Sequence, residues 1–255
     1  RFSSASATKD TYGLFQGFIE NKGQYGKTVK GVESMGAVLF AYEGLAMPVL
    51  FTTKGLIHLQ RKLDKISHAE EERLEKMGVP EEEIEKKKII TDRLITMEWV
   101  NANPAVQVYT SAKSTAYHTY RMIQEKAFSF GILTYKDLYP GIDLIYHFTD
   151  NYQQGFEYSL KVQPGADISK IQLKYGGDIV SIKTNSKGQL EIRSSIEGVT
   201  VSVPVSYYGT EISKGAKQEI TTSFQVEDKI VRFRFPQHYD SAKALVIDPF
   251  VSSTI

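Results

Sequence analysis

Cysteine is absent from the 255 residues. That excludes disulfides, thiolate nucleophiles and cysteine-ligated zinc. It is neutral about compartment, because a chain this long can bury a core without covalent staples. An excess of either charge is also missing. The 31 basic and 30 acidic side chains leave a formal net charge of +1, too little field to draw nucleic acid or an anionic membrane. No run of about eighteen apolar residues occurs, so no transmembrane helix is expected. Also lacking are G-x-S-x-G, a P-loop, H-E-x-x-H and a dinucleotide fingerprint. The histidines (His58, His68, His118, His147 and His238) are scattered without metal-ligand spacing. The sequence therefore assigns no catalytic residue, no cofactor and no metal site, and it leaves the ligand unknown.

What the chain does have is aromatic and alternating. Tyr occurs 15 times and Phe 13 times against a single Trp, a composition suited to pleated, half-buried surfaces. From Ile95 onward the apolar period is two. Ile95, Met97 and Trp99 alternate with polar residues, as do Ile142, Leu144, Tyr146 and Phe148. The same holds for Phe156, Tyr158, Leu160 and Val162, for Val199, Val201 and Val203, and for Val231, Phe233 and Phe235. Such alternation marks strands with one buried face. Turn chemistry separates them at Tyr139-Pro140-Gly141, Gln163–Asp167, Asn185–Gly188 and Ser213-Lys214-Gly215. The fold class expected is mainly β, with antiparallel, sandwich-like sheets in two packed subdomains.

Earlier in the chain, residues 1–17 read as an N-terminal arm, and Ala37–Tyr42 as a strand. Val49–Thr53 and Leu56–Gln60 read as a hairpin about Lys54-Gly55. The stretch 62–93 differs from the rest. Ser67 with Glu70 has capping-box spacing, Gly78 suits a C-terminal cap, and Pro80 suits the first turn of a second helix. Glu72/Lys76, Glu82/Lys86 and Glu83/Lys87 lie four apart in the favoured order. This predicts a solvated, charged helical hairpin inserted into a first β-rich subdomain at 18–133. A second antiparallel subdomain is expected at 134–255, leading into a following module.

Three groups of residues invite a chemical reading. Asp143, His147 and Glu157 form the best local cluster, but Asp143 and His147 on one strand stand about 13 Å apart. A hairpin register placing Phe148 opposite Phe156 sets His147 against Glu157 and Asp143 against Lys161, ordinary cross-strand pairs of a solvated face. Glu81, Glu82 and Glu83 lack the D-x-D-x-D-G pattern of a calcium loop and splay around a helix. Arg232 and Arg234 flank Phe233, a pattern an amphipathic strand explains without nucleic acid.

Phe18–Gln24 (FIENKGQ), Thr134–Asp143 (TYKDLYPGID), Phe156–Asp167 (FEYSLKVQPGAD) and Leu245–Pro249 (LVIDP) with Ser252-Ser253-Thr254 occur in that order. Together they resemble the N-terminal domain of unknown function of large exported bacterial proteins. In those proteins it precedes SBBP-type β-propeller repeats, Ig-like or PKD-like modules, or gliding-motility-associated C-terminal domains. The chain departs from that pattern at 62–93 and at Tyr117–Ile123 (YHTYRMI), which lacks the usual G-N-D-P. The resemblance implies export across the outer membrane, often by type IX secretion, and a place on the cell surface. It implies protein partners there and further modules in the same chain, and it carries no catalytic residues. The expected function is a non-catalytic structural or interaction domain in a gliding, adhesion or secretion-associated assembly. A carbohydrate-binding module using Tyr117, Tyr120, Tyr207 and Tyr208 is the alternative, and a two-carboxylate glycoside hydrolase a weaker one. Because the chain opens at Arg1 and stops in an extended segment at Ile255, it is expected to be a fragment.

Overall fold

The computed structural model describes residues 16–45, 47–148, 155–212 and 218–254. The protein is mainly β, and every strand pairing in it is antiparallel. The arm before residue 16, the Thr149–Gln154 loop and the Ser213-Lys214-Gly215 turn lie outside the described residues.

The ladder starts with β1 (Phe18–Glu20), flanked by β2 (Val38–Tyr42) and the N-terminal half of β7 (Ala127–Tyr139). From β2 a meander runs through β3 (Val49–Thr52), β4 (Gly55–Lys65) and β5 (Lys88–Trp99). β5 then pairs with β10 (Leu173–Gly177), which pairs with β17 (Ile230–Arg234) and through it β16 (Ser223–Glu227). On its other side β7 carries β6 (Gln107–His118), and its C-terminal half pairs with β8 (Ile142–His147). Next comes β9 (Phe156–Val162), where the ladder forks. β18 (Leu245–Asp248) pairs along Leu160–Val162 and leads to β14 (Val205–Tyr208) and β15 (Glu219–Ile220). β19 (Phe250–Thr254) pairs along Phe156–Glu157 and leads to β13 (Gly198–Val201), β12 (Leu190–Arg193) and β11 (Ser181–Thr184).

This strip folds back on itself. Trp99 of β5 and Tyr146 of β8 are six pairings apart, yet the indole Nε1 donates to the Tyr146 hydroxyl at 3.1 Å. Trp99 also meets Tyr158 edge-on at 5.6 Å. The two layers so formed enclose a wall of Phe18, Phe51, Tyr146 and Phe156, with edge-to-face contacts at 4.9–6.3 Å. Leu173, Val231, Leu190, Val199 and Leu245 belong to the same core. Residues from both 18–133 and 134–255 thus share one core, and the line between those segments falls inside β7.

A second cluster lies behind β1–β4. Ile19, Ala41, Leu50, Ile57 and Leu59 are covered there by Tyr25, Val29 and Met35 from the loop after β1. Both faces of these strands are buried, so Val49–Thr52 and Gly55–Gln60 show no apolar–polar alternation, and the polar Thr52, His58 and Gln60 are buried with their neighbours. Asn21 holds the covering loop. Its amide donates to Gly26 and Val38 carbonyls, and its Oδ1 accepts from Gly23 and Tyr25 N–H groups. The Glu20 side chain accepts from Phe128 N–H, so FIENKGQ is explained as a loop staple.

The expected insertion at 62–93 is corrected in part. The helices are α1 (His68–Lys76) and α2 (Glu81–Glu85), and the ladder of β4 with β5 continues outward to Lys65 and Lys88. Ser67 caps α1 as expected, accepting from Glu70 N–H, whereas Pro80 stands at the cap before α2 rather than in its first turn. The ribbon persists because cross-strand partners suit a ladder: Arg61 grips Asp92 with two bonds of 2.6 and 2.7 Å, and Leu63 faces Ile90. The charge that looked helical belongs to an exposed two-stranded arm with helices at its tip. The alternation at Val199–Val203 also stops short: β13 ends at Val201, and Val203, before Pro204, is exposed.

Two stability predictions follow from this packing. A Cβ on Gly55 would stand 1.9 Å from the Met97 carbonyl oxygen, where β4 enters the ladder. Gly55→Ala should cost about 1–3 kcal/mol in urea unfolding, and an unchanged midpoint would contradict this close approach. His58, opposite Val49 and Ile95, is fully buried, and burial pushes its pKa from 6.5 down to about 4. Below pH 6.5 the unfolded chain binds a proton that the folded chain refuses until about pH 4. Its contribution is therefore whole above pH 6.5 and declines by roughly 3 kcal/mol as pH falls to 4. His58→Gln should show a shallower loss of stability than wild type between pH 7 and 4, and parallel curves would refute the assignment.

Candidate functional site

On β8 and β9 the even-numbered residues face the core, so Asp143, Ile145, His147, Glu157, Ser159 and Lys161 share the opposite, outer face. The register is the expected one, with His147 opposite Glu157 and Asp143 opposite Lys161. Phe148 lies past the end of the strand and stacks on Phe18 at 4.4 Å.

The expected pairing of charges is half right. His147 Nδ1 lies 3.3 Å from Glu157 Oε2. Asp143 instead binds Lys136 Nζ at 2.7 Å and accepts from Asp137 N–H at 2.8 Å. The cause is a bulge in β7 between Tyr135 and Tyr139, with Asp137 at φ +49°, which brings Lys136 over to Asp143. Lys161 reaches Glu211 at 3.9 Å. Asp143 therefore stays apart from His147, as strand geometry requires.

A residue passed over in the sequence completes the cluster. The pairing of β18 with β9 sets Ile247 against Leu160, which brings the next residue, Asp248, beside Ser159. The Ser159 hydroxyl donates to Asp248 Oδ1 at 2.6 Å and lies 2.7 Å from His147 Nε2. Asp248 Oδ1 is itself 3.4 Å from that nitrogen. Ser159 is fully buried, while the His147, Glu157 and Asp248 side chains are 12–19% exposed. Asp248 belongs to LVIDP, and Glu157 and Ser159 to FEYSLKV, two of the stretches that carried the resemblance. Their motif membership was the available signal; the three-strand adjacency was not, because it depends on a partner about ninety residues away.

Ligand atoms of His147, Glu157 and Asp248 all lie within 4.8 Å of one another, a set able to hold a metal ion. Chemically the arrangement is a relay, Glu157–His147–Ser159–Asp248, with the imidazole wedged between two carboxylates. A sugar could not sit between those acids, as a two-carboxylate hydrolase needs. The buried Ser159 hydroxyl is likewise closed to a substrate.

The tyrosines expected for a sugar surface are dispersed. Tyr207 and Tyr120 are buried. Tyr120 belongs to a network in which Tyr25 donates to Glu43 Oε1 at 2.5 Å and the two phenol oxygens stand 2.9 Å apart. Burial, above all, pushes the Tyr120 phenol up to about 12. Tyr208 accepts from Asp240 N–H at 2.6 Å. Tyr117 is 48% exposed, but the Lys126 ammonium sits 3.9 Å over its ring.

Removing the bridging hydroxyl isolates the relay's contribution. Ser159→Ala should destabilise the fold by about 1–3 kcal/mol, the usual cost of leaving buried polar partners unmatched. A loss of less than a few tenths of a kcal/mol in denaturant titration would mean that the bridge contributes nothing in solution.

No curated protein and no solved structure matches the chain. A family model described as a domain of unknown function (DUF7948) matches residues 18–250. That span takes in the whole ladder from β1 to the start of β19, the fork and all four residues of the relay, and the chain belongs to the DUF7948 family.

Proposed function

We propose that this domain is a non-catalytic interaction module of a secreted, cell-surface protein, working through strand addition at the edge of its sheet. The observation that carries the proposal is β6. It is 12 residues long and, among the described strands, pairs only with β7. Its other edge therefore presents backbone donors and acceptors, a template on which an extended segment of a partner can add a strand. Lys113 is its one Lys, Arg, Asp or Glu, and Tyr109 and Tyr117 are exposed on it. Ala112 at φ +53° and the register shift between Lys113 and Tyr117 interrupt its second half, leaving Gln107–Ser111 as the regular stretch.

Export and surface location rest on the resemblance of the motif stretches to domains of exported bacterial proteins. Adhesion, gliding or secretion-associated assemblies are the settings it suggests, with other modules of the same chain beside it. The carbohydrate-binding reading has less support, since the exposed Tyr117 ring already carries Lys126 on its face.

A photo-crosslinking residue placed at Tyr109 in the protein on its producing cells tests the reading. It should give a discrete adduct with one partner protein, whereas the same residue at exposed Val180 should not. A membrane-impermeant amine reagent should label the protein on intact cells. No adduct at Tyr109 above the Val180 control would remove the edge-strand reading, and no labelling of intact cells would remove the surface location.

A further inference from the structure

We propose that the outer-face relay is a binding site for a first-row divalent cation of the zinc or manganese type, held by His147 Nε2 and Asp248, with Ser159 beneath and Glu157 behind. The first support is spacing. His147 Nε2, Ser159 Oγ and Asp248 Oδ1 form a triangle with sides of 2.6, 2.7 and 3.4 Å. Two donors each about 2.1 Å from one ion stand about 3.0 Å apart at a right angle and about 3.4 Å apart at a tetrahedral one. Small adjustments of side chains already in contact would therefore seat an ion.

The second support is convergence on one hydroxyl. The Ser159 hydroxyl donates its single hydrogen to Asp248 Oδ1, and His147 Nε2 lies 2.7 Å from the same hydroxyl oxygen, so the imidazole nitrogen and the carboxylate crowd one small group. A cation beside Ser159 would take an electron pair from each of them.

The third support is the position of Glu157. A carboxylate on the far nitrogen of a ligating histidine fixes its tautomer and aims the other nitrogen at the metal, and Glu157 stands in that place. An imidazole nitrogen with carboxylate and hydroxyl oxygens suits zinc or manganese better than calcium or magnesium. The partial exposure of His147, Glu157 and Asp248 leaves room for water to complete the coordination. Because His147 and Asp248 come from β8 and β18, with Ser159 of β9 between them, such an ion would pin the branch of the forked ladder that leaves β9 through β18.

The test is calorimetric titration of the chelator-stripped 255-residue chain with ZnCl2 and, separately, MnCl2. One equivalent should bind, with a rise in melting temperature that EDTA reverses. His147→Ala and Asp248→Asn should each abolish the saturable event, and Glu157→Gln should weaken it by 10–100-fold. The exposed His68, with Glu71 and Glu72 at 3.6 Å, is the obvious adventitious competitor, so His68→Ala should leave binding unchanged. If His147→Ala fails to fold, Glu157→Gln and the chelation shift of the His147 ring in NMR spectra still decide the matter. The proposal is overturned if no equivalent binds, if His68→Ala removes the binding, or if Asp248→Asn binds like wild type.

Discussion

Everything in this fold depends on closing one long antiparallel strip over an aromatic wall. An open strip of this length would leave the even-numbered faces of β8 and β9 in water, together with Phe18, Phe51 and Trp99. Aromatic side chains of this size carry much of a core's burial energy and prefer edge-to-face contact, and that is how Phe51, Tyr146 and Phe156 meet. The Trp99–Tyr146 bond joins strands that the ladder keeps far apart. It satisfies two polar groups that would otherwise be costly inside the layer.

The closure also determines what lies outside. Strands alternate, so every core residue of β8 and β9 places its neighbours on the outer face. The fork at Pro249 then puts Asp248 beside Ser159 while Phe250 pairs with Glu157. The relay is thus a by-product of packing in its placement, and specific in its chemistry: two carboxylates, one hydroxyl and one imidazole in direct contact.

Much of this was legible in the residues themselves. The period of two foretold β5, β8, β9, β13 and β17, and the register found for β8 with β9 is one that parity allows and that the sequence reading named. The Ser67–Glu70 spacing marked a real helix start. Other features resisted a local reading. Charged residues such as Asp64, Lys88 and Asp92 look alike on a helix surface and on an exposed ribbon, so residues 62–65 and 88–93 read as flanks of a helical insertion although they are strand. The bulge at Asp137 that turns Lys136 toward Asp143 has no distinct sequence mark: Asp adopts positive φ more readily than most residues, but its type alone does not place a bulge.

By itself, then, the sequence determined the identity and parity of the strands that alternate, the turns between them at Tyr139–Gly141 and Asn185–Gly188, and the α1 cap, because each is set by residues within a few positions of one another. The partner of His147 across the hairpin was within that reach. Only the tertiary structure decided that the strip closes on Trp99 and Tyr146, that one core serves both halves, and that Asp248 completes the relay. Those outcomes rest on contacts between residues 47 and 89 positions apart. No local period encodes such contacts; they are chosen by which layers can bury their aromatic faces together.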